Sequence, residues 1–187
     1  EELGADYLGV ACLDEAIEVR EAGVKTPILI LGCTSSIYAA ELVKYNITQA
    51  CYDLEYAKEL SAGAQKAGGT ITVHIQCDTG MTRLGFMCQE DTMEKSASEI
   101  IEAVKLPGLK AEGIFTHFSD SDGSEEYTTE HDNCGPVYQN LPLPKCVSFV
   151  RPCVTRSFLL CVSRDDIKGR KLTTNHCGTI AKKFPSQ

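Results

Sequence analysis

Short apolar runs alternate with longer amphipathic segments along the first 130 residues. The runs combine β-branched and aromatic residues over five to seven positions and predict strands at Tyr7–Ala11, Pro27–Leu31, Ile47–Tyr52, Ile71–Cys77 and Gly113–Phe118. Between them, segments rich in Ala, Glu, Leu and Lys predict helices at Leu13–Ala22, Ile37–Tyr45, Leu54–Ala67 and Thr92–Lys105. Strict alternation favours an α/β fold with parallel strands and right-handed crossovers.

Polar residues and glycines mark the ends of the predicted helices. Ser35 or Ser36, Asp53 and Asp91 stand where a side-chain oxygen can accept the free N–H groups of a first turn. Gly23 and Gly68 suit the left-handed conformation that ends a helix. The continuous apolar strand PILIL further indicates a sheet covered on both faces.

The pattern alone allows either an open doubly wound sheet or a β/α barrel. No GxGxxG follows the first strand and no GxxxxGK[ST] occurs, so the dinucleotide-binding and P-loop folds lose support. In a barrel, chemistry gathers at the carboxyl ends of the strands. The residues at those ends therefore decide between the two folds.

Composition limits the classes of partner. The chain has 187 residues, 43% of them hydrophobic, and a formal net charge of −8, which disfavours broad binding to nucleic-acid phosphates or anionic lipid. No apolar stretch is long enough for a membrane span, and the acidic start lacks the features of a signal peptide. Ten cysteines show no spacing typical of a disulfide framework, so we interpret them as reduced thiols of a cytoplasmic protein.

The charge balance reverses after Glu130. Up to that residue the chain has 9 basic and 23 acidic side chains, and beyond it 9 basic and 3 acidic. Proline and cysteine also become more frequent in the second part. We therefore predict two regions, a β/α region at 1–130 and an irregular tail at 131–187, with a small second domain or a peripheral extension as the alternative for the tail.

Two predicted strands end in candidate site residues. After the fourth strand comes CDTGMTRLGF, in which Asp78 leaves the sheet, Gly80 and Gly85 permit tight backbone paths, and Arg83 carries a cation. After the fifth comes THFSDSD, in which His117 offers an imidazole to the same rim. Taken singly, these residues also have structural explanations: a turn cap, a surface ion pair and a buried hydrogen bond.

Together, the order and spelling of several segments resemble the bacterial alanine racemase family. The segments are GADYLGVACLDEAIEVREAG, TPILILG, VHIQCDTGMTRLGF and LKAEGIFTHFSDSD, and the resemblance covers about the first 130 residues. It implies part of a (β/α)8 TIM-type barrel that binds pyridoxal 5'-phosphate (PLP). It also implies a homodimeric, cytoplasmic isomerase that interconverts L- and D-alanine for cell-wall peptidoglycan.

The resemblance also implies roles for individual residues. Arg83 would hydrogen-bond the phenolic oxygen of PLP and lie beside the substrate carboxylate, and His117 would lie against the pyridine ring. Many relatives have a lysine, often carbamylated and paired with the arginine, where this chain has Gln76. We therefore expect Arg83 and His117 to bind the cofactor, with Gln76 and Asp78 in support.

The family's two proton-transfer residues are not recognisable in this sequence. None of the twelve lysines stands in a motif like VVKANAYGHG, which holds the Schiff-base lysine, and the tyrosine contributed by the partner subunit is also missing. We expect the chain to be an internal fragment that is inactive alone. The abrupt change near His131 further suggests a shifted reading frame downstream.

Two other functions remain open at the level of sequence. One is a non-catalytic PLP-binding barrel that acts as a carrier or regulator, and the other is a related serine racemase. A metal site is not expected, because the spacings of the remaining candidate ligands fit no zinc pattern: His131, Cys134, His176 and Cys177.

Overall fold

A computed structural model describes residues 7–117, 119, 146–153 and 156–163. Strands and helices alternate as far as the sixth strand, except that the short fifth strand follows the fourth with no helix between them, and a 3-10 turn at Ser36–Tyr38 precedes the second helix. The strands are β1 Leu8–Val10, β2 Ile28–Ile30, β3 Thr48–Cys51, β4 Ile71–Asp78, β5 Phe86–Met87, β6 Leu109–Thr116, β7 Cys146–Cys153 and β8 Arg156–Ser163. The helices are α1 Leu13–Glu21, α2 Ala39–Tyr45, α3 Leu54–Lys66 and α4 Met93–Ala103.

The helix ends confirm only some of the predicted capping residues. Asp53 caps α3 by accepting the backbone N–H of Tyr56 at 2.7 Å, and Gly23 and Gly68 follow their helices with φ of 90° and 69°. The predicted N-caps at Ser35 or Ser36 and at Asp91 were wrong. Neither Ser35 nor Thr92, the residues that precede the 3-10 turn and α4, makes a side-chain cap hydrogen bond, and Asp91 lies one residue outside the cap position.

The order of the strands distinguishes a barrel from a doubly wound sheet. The sheet runs β1-β2-β3-β4-β6-β7-β8, and every neighbouring pair from β1 to β7 is parallel. Strand order thus follows chain order, whereas a doubly wound sheet reverses direction at a switch point. The described sheet is therefore part of a β/α barrel, as predicted.

Two strands lie within the tail that the sequence predicted to be irregular. β7 and β8 form an antiparallel hairpin with eight paired positions, and β7 pairs with β6 through Cys146 and Val147. Both strands contain Val and Phe, which are enriched in strands.

The sheet is buried on both faces, as the strand PILIL predicted. Ile28 and Ile30 pack into the larger core between the sheet and the helices, while Leu29 points to the opposite face and contacts Ala50 and Phe115. This second cluster, the inner core, lies on the face of the strands opposite the helices. Side chains that alternate between a helix-facing core and an inner core are typical of a barrel wall.

A polar group is buried beside the inner core. His74, in the middle of β4, is fully buried, and neither ring nitrogen has a hydrogen-bond partner among the described residues. Its ring lies 5.0 Å from that of Tyr7, whose hydroxyl donates to Glu112 at 3.1 Å. Burial lowers the pKa of His74 to about 4 although the carboxylate of Glu112 opposes the shift, so the imidazole is neutral at pH 7.

Two expectations from composition can be compared with the described part of the chain. In that part, no helix has the length and hydropathy that a transmembrane segment requires. The cysteines whose side chains the structure describes are free thiols, with Cys12 and Cys33 exposed and Cys51, Cys77 and Cys88 buried. Burial raises the pKa of Cys51 to about 12, so this thiol stays protonated.

Candidate active site

The loop after β4 is organised around one carboxylate. Asp78 is 3% exposed, and its Oδ1 accepts the backbone N–H groups of Gly80 at 3.1 Å and Thr82 at 2.8 Å, while Oδ2 accepts that of Arg83 at 2.7 Å. The backbone carbonyl of Asp78 accepts the N–H of Cys88 at 2.8 Å, where the chain returns to the sheet. Three N–H groups on one buried carboxylate give the loop a fixed backbone.

Gly85 allows this loop to fold back onto β4. A Cβ at position 85 would lie 2.7 Å from the nitrogen of Asp78 and 3.0 Å from the carbonyl oxygen of Gln76, and the residue has a φ of 136°. An L-amino acid with a side chain meets both a steric clash and an unfavourable backbone conformation here. Glycine therefore lets the segment that carries Arg83 lie directly against the end of β4.

The carboxyl ends of β4 and β6 are joined by two threonines. The hydroxyls of Thr79 and Thr116 lie 2.9 Å apart, and both residues are buried. His117 follows Thr116 immediately and is half-buried. The two predicted site segments, DTGMTRLGF and THF, thus meet at one rim of the sheet.

A cleft of about 450 Å³ opens at this rim, beside the ends of β1, β2 and β4. Its wall is mainly apolar and includes two glycines and three polar side chains. The lining residues are Gly9, Val10, Ala11, Glu15, Leu31, Gly32, Gln76, Arg83 and Leu84. This volume is within the range of about 300–1,000 Å³ that is common for small-molecule sites.

The three polar side chains of the cleft differ in charge and burial. Gln76 is 4% exposed, and its Oε1 has no hydrogen-bond partner in the described structure. Arg83 is exposed and forms no ion pair with any described carboxylate. Glu15 is exposed as well, and its Oε2 accepts the backbone N–H of Ala11 at 2.7 Å. The cleft therefore presents one cation and one buried neutral acceptor beside a carboxylate that is already bonded to the wall.

An aromatic cluster fixes the loop after β2, which supplies two lining residues. The rings of Tyr52 and Tyr56 stack with centroids 4.3 Å apart, and the hydroxyl of Tyr56 donates to the carbonyl of Thr34 at 2.6 Å. The hydroxyl of Tyr52 lies 2.6 Å from the sulfur of Cys33. Because these contacts hold residues 33 and 34, the preceding Leu31 and Gly32 have a defined position at the cleft.

The predicted site residues occupy different positions around this rim. Gln76 and Arg83 line the cleft together, and Asp78 lies beneath the loop that carries Arg83. His117 stands at the end of β6 and is not among the described lining residues. That His117 and Arg83 face one another across a common cleft therefore stays a prediction.

Sequence reasoning missed several lining residues. Glu15 was assigned only to a helix, and Leu31 only to a strand. The available signal was the pattern LDE at the start of α1, where a glutamate near the first turn can bond the backbone N–H that precedes the helix. The same bond brings its side chain to the carboxyl end of β1.

The fold and site together define the class of protein. A parallel sheet in chain order is part of a β/α barrel, a fold in which chemistry gathers at the carboxyl ends of the strands. A family model described as "Alanine racemase, N-terminal domain" matches residues 1–149. The chain belongs to the family of alanine racemase N-terminal domains.

Individual relatives agree with this family. The chain is 47% identical over 130 residues to an alanine racemase of Clostridium perfringens, which covers 69% of this chain and 33% of that protein. It superposes on the alanine racemase of Clostridium difficile 630 with a TM-score of 0.64 and 39% identity, covering 73% of this chain and 34% of that one. The chain spans about a third of the length of the curated relatives it matches.

A solved structure with another substrate name shares the fold. The histidine racemase from Leuconostoc mesenteroides subsp. sake is 28% identical with a TM-score of 0.62, and the match covers 78% of this chain and 39% of that one. Solved structures of racemases named for different amino acids thus match the fold of this chain.

Proposed function

We propose that the rim cleft binds PLP and that the parent protein of this domain interconverts L- and D-alanine. The observation that supports this most strongly is the loop held by Asp78, which brings Arg83 to a cleft that also contains the free acceptor of Gln76. Together with the family match, a cation and a neutral acceptor at this rim support the proposal, because barrel enzymes bind their ligands at the carboxyl ends of the strands.

The cleft residues fit an anionic, aromatic cofactor. Val10, Leu31 and Leu84 give apolar walls for a planar ring, and Gly9 and Gly32 add no side chain to the lining. The guanidinium of Arg83 suits the phenolic oxygen of PLP, because it stays charged and offers several donors in one plane. We further propose that His117 lies against the pyridine ring and limits its tilt.

When bound, PLP supplies the electron sink that allows an amino acid to lose its α-proton. The residues of this chain would bind and orient. Arg83 would hold an anionic oxygen of the cofactor or the substrate carboxylate, while Asp78 keeps the backbone of Arg83 in place. Leu31 and Leu84 would exclude water from one side of the cleft. These roles concern positioning, and we assign no proton-transfer step to a residue of this chain.

The substrate, the oligomeric state and the cellular location of the parent enzyme are also proposals based on the family match. We infer that the substrate is alanine, that the parent enzyme is a homodimer in the cytoplasm, and that its D-alanine enters peptidoglycan. The relatives named alanine racemase, at 41–47% identity, support the choice of alanine over other amino acids.

The second candidate is a non-catalytic PLP-binding barrel, a carrier or regulator. One observation favours it: the described lining of the cleft contains neither a lysine nor a tyrosine, the two residue types that act as proton carriers in the family. A carrier requires the cleft and Arg83 but no proton-transfer group. The two functions therefore predict the same cofactor binding by this chain and differ in the chemistry of the parent protein.

The test combines cofactor binding with product analysis. The purified 187-residue chain is titrated with PLP, reduced with borohydride and digested for mass spectrometry, and L-alanine is incubated with it while D-alanine is measured. We expect reversible PLP binding that Arg83→Met weakens, scattered lysine labelling and no D-alanine. Absence of binding would refute the proposed cleft. A stoichiometric label on one lysine near Arg83 would contradict the assignment of purely positioning roles.

A further inference from the structure

Two side-chain oxygens of the cleft lack a hydrogen-bond donor. Gln76 is only 4% exposed, and its Oε1 has no partner among the described residues although the side chain lines the cleft. Glu15 uses Oε2 to accept the N–H of Ala11, and no described hydrogen bond or ion pair involves its other carboxylate oxygen. Because native structures seldom leave a buried acceptor unsatisfied, we expect the ligand to bring a donor.

The two acceptors reach the cleft from separate elements of the fold. Gln76 lies on β4, two positions before the strand ends. Glu15 lies in the first turn of α1, and its bond to the N–H of Ala11, which follows β1, keeps the side chain at the rim of the sheet. The backbone thus fixes both acceptors beside the same cleft before any ligand binds.

The charges in the cleft complement a zwitterion. Arg83 lines the cleft and forms no ion pair with any described carboxylate, so its guanidinium can bind an anion. Glu15 is the one carboxylate in the described lining, and it suits a cation. An α-amino acid carries a carboxylate and an ammonium group on the same carbon. A simple carboxylic acid would use Arg83 and leave both acceptors without a donor.

We propose that Glu15 and Gln76 bind the α-ammonium group of an amino acid in the cleft. An ammonium group has three N–H donors, of which one reaches Oε1 of Gln76 and another the free oxygen of Glu15. Glu15 selects for positive charge, whereas the neutral amide of Gln76 accepts any N–H or O–H donor. The inference rests on the proposed function in taking an amino acid as the ligand. Both residues bind and orient, and neither transfers a proton.

Three small carboxylates of similar size test the amine site. L-Alanine carries an ammonium group where L-lactate has a hydroxyl group and propanoate has only hydrogen. Each compound is titrated into the ¹⁵N-labelled 187-residue chain at pH 7, and the amide shifts of the cleft residues give its Kd. We expect alanine to bind most tightly, lactate more weakly and propanoate most weakly, because each loses one kind of contact with Glu15 or Gln76.

Two variants separate charge from hydrogen bonding. We expect Glu15→Gln to weaken alanine binding about tenfold, because an amide keeps the bond to Ala11 but loses the charge. Lactate and propanoate should bind as before or slightly more tightly, since a negative charge is removed beside an anion. Gln76→Leu should weaken alanine and lactate binding and leave propanoate binding unchanged. Glu18→Gln, exposed on α1 and outside the described lining, removes the same charge and should change none of the three affinities.

The outcomes distinguish this site from the proposed function. Equal affinity of the unchanged chain for alanine and propanoate, no binding of alanine, or a Glu15→Gln chain that keeps its full preference for alanine would each overturn the inference. Glu15 is exposed, so this variant decides the question even if Gln76→Leu does not fold. PLP binding by the unchanged chain without a preference for alanine would refute the amine site alone. A preference for alanine without PLP binding would support the amine site and refute the proposed cofactor.

Discussion

Oδ2 of Asp78 accepts the backbone N–H of Arg83 at 2.7 Å, and this bond connects the end of β4 to the only cation that lines the described cleft. The same carboxylate holds Gly80 and Thr82. One aspartate side chain thus fixes the backbone of the loop that follows β4. The position of the guanidinium depends on a residue that does not itself line the cleft.

Removal of this carboxylate should loosen the loop. We expect Asp78→Ala to lower the free energy of unfolding by about 3 kcal/mol and Asp78→Asn by about 2 kcal/mol, because the amide of asparagine presents a donor toward N–H groups that need an acceptor. Urea denaturation measures both values. Asp91→Asn is the control, since Asp91 is exposed before α4 and should change stability by no more than about 0.5 kcal/mol. A loss at Asp78 no larger than the loss at Asp91 would contradict this role.

Alanine substitutions at Gly85 and Gly23 separate the cost of a steric clash from the cost of an unfavourable backbone conformation. Both have positive φ, but a Cβ at Gly23 has no atom within 4 Å, whereas at Gly85 it meets the backbone of β4. Gly23→Ala should therefore cost about 1 kcal/mol and Gly85→Ala about 3 kcal/mol or more. Thermal unfolding of the two variants side by side gives the comparison. Equal costs would mean that the loop does not lie against β4 as described.

The sequence predicted repeating elements better than local contacts. Five of the six strands up to Thr116 and the four helices follow from periodicity, and β6 differs mainly by starting at Leu109 rather than Gly113. β5 has only two residues and pairs because Asp78 turns the chain back, so no periodic pattern could reveal it. The cleft likewise depends on distant residues such as Leu31 and Leu84, whose proximity is a property of the folded sheet.

The neutral, buried His74 should make stability depend on pH. Its pKa is lowered to about 4 in the folded chain against 6.5 unfolded, so the folded state binds fewer protons between these values. The contribution is complete above pH 6.5 and is lost as the pH falls toward 4, by about 3 kcal/mol in all. Stability is measured by urea unfolding at several pH values in a Glu112→Gln background, because Glu112 also titrates and faces His74.

His74→Phe in the same background provides the contrast. Phenylalanine has a similar shape, and the two imidazole nitrogens have no described partner to lose. We expect the pH dependence between 6.5 and 4 to disappear in this variant while stability at pH 7 changes little. A slope that persists in His74→Phe would assign the dependence to other groups.

The hypothesis of a shifted reading frame concerns residues 131–187 and can be checked at the nucleotide level. The resemblance to alanine racemases implies two phosphate-binding segments in this region, one like HCANS and one like RPG. Translation of the other two frames downstream of His131 should give both segments in this order. The reversal of charge after Glu130 motivates this expectation. If neither frame contains such segments, the hypothesis is refuted and the tail is a genuine extension of the chain.

The central claim is that PLP binds at the carboxyl ends of the strands beside Arg83, and an NMR titration tests it directly. Amide shifts in ¹H–¹⁵N spectra are followed as PLP is added to the ¹⁵N-labelled 187-residue chain. We expect the largest changes at the cleft residues Gly9, Val10, Ala11, Leu31, Gly32, Gln76, Arg83 and Leu84. Changes concentrated at the amino ends of the strands, at Gly69, Ile71 and Leu109, or no changes at all, would contradict the claim.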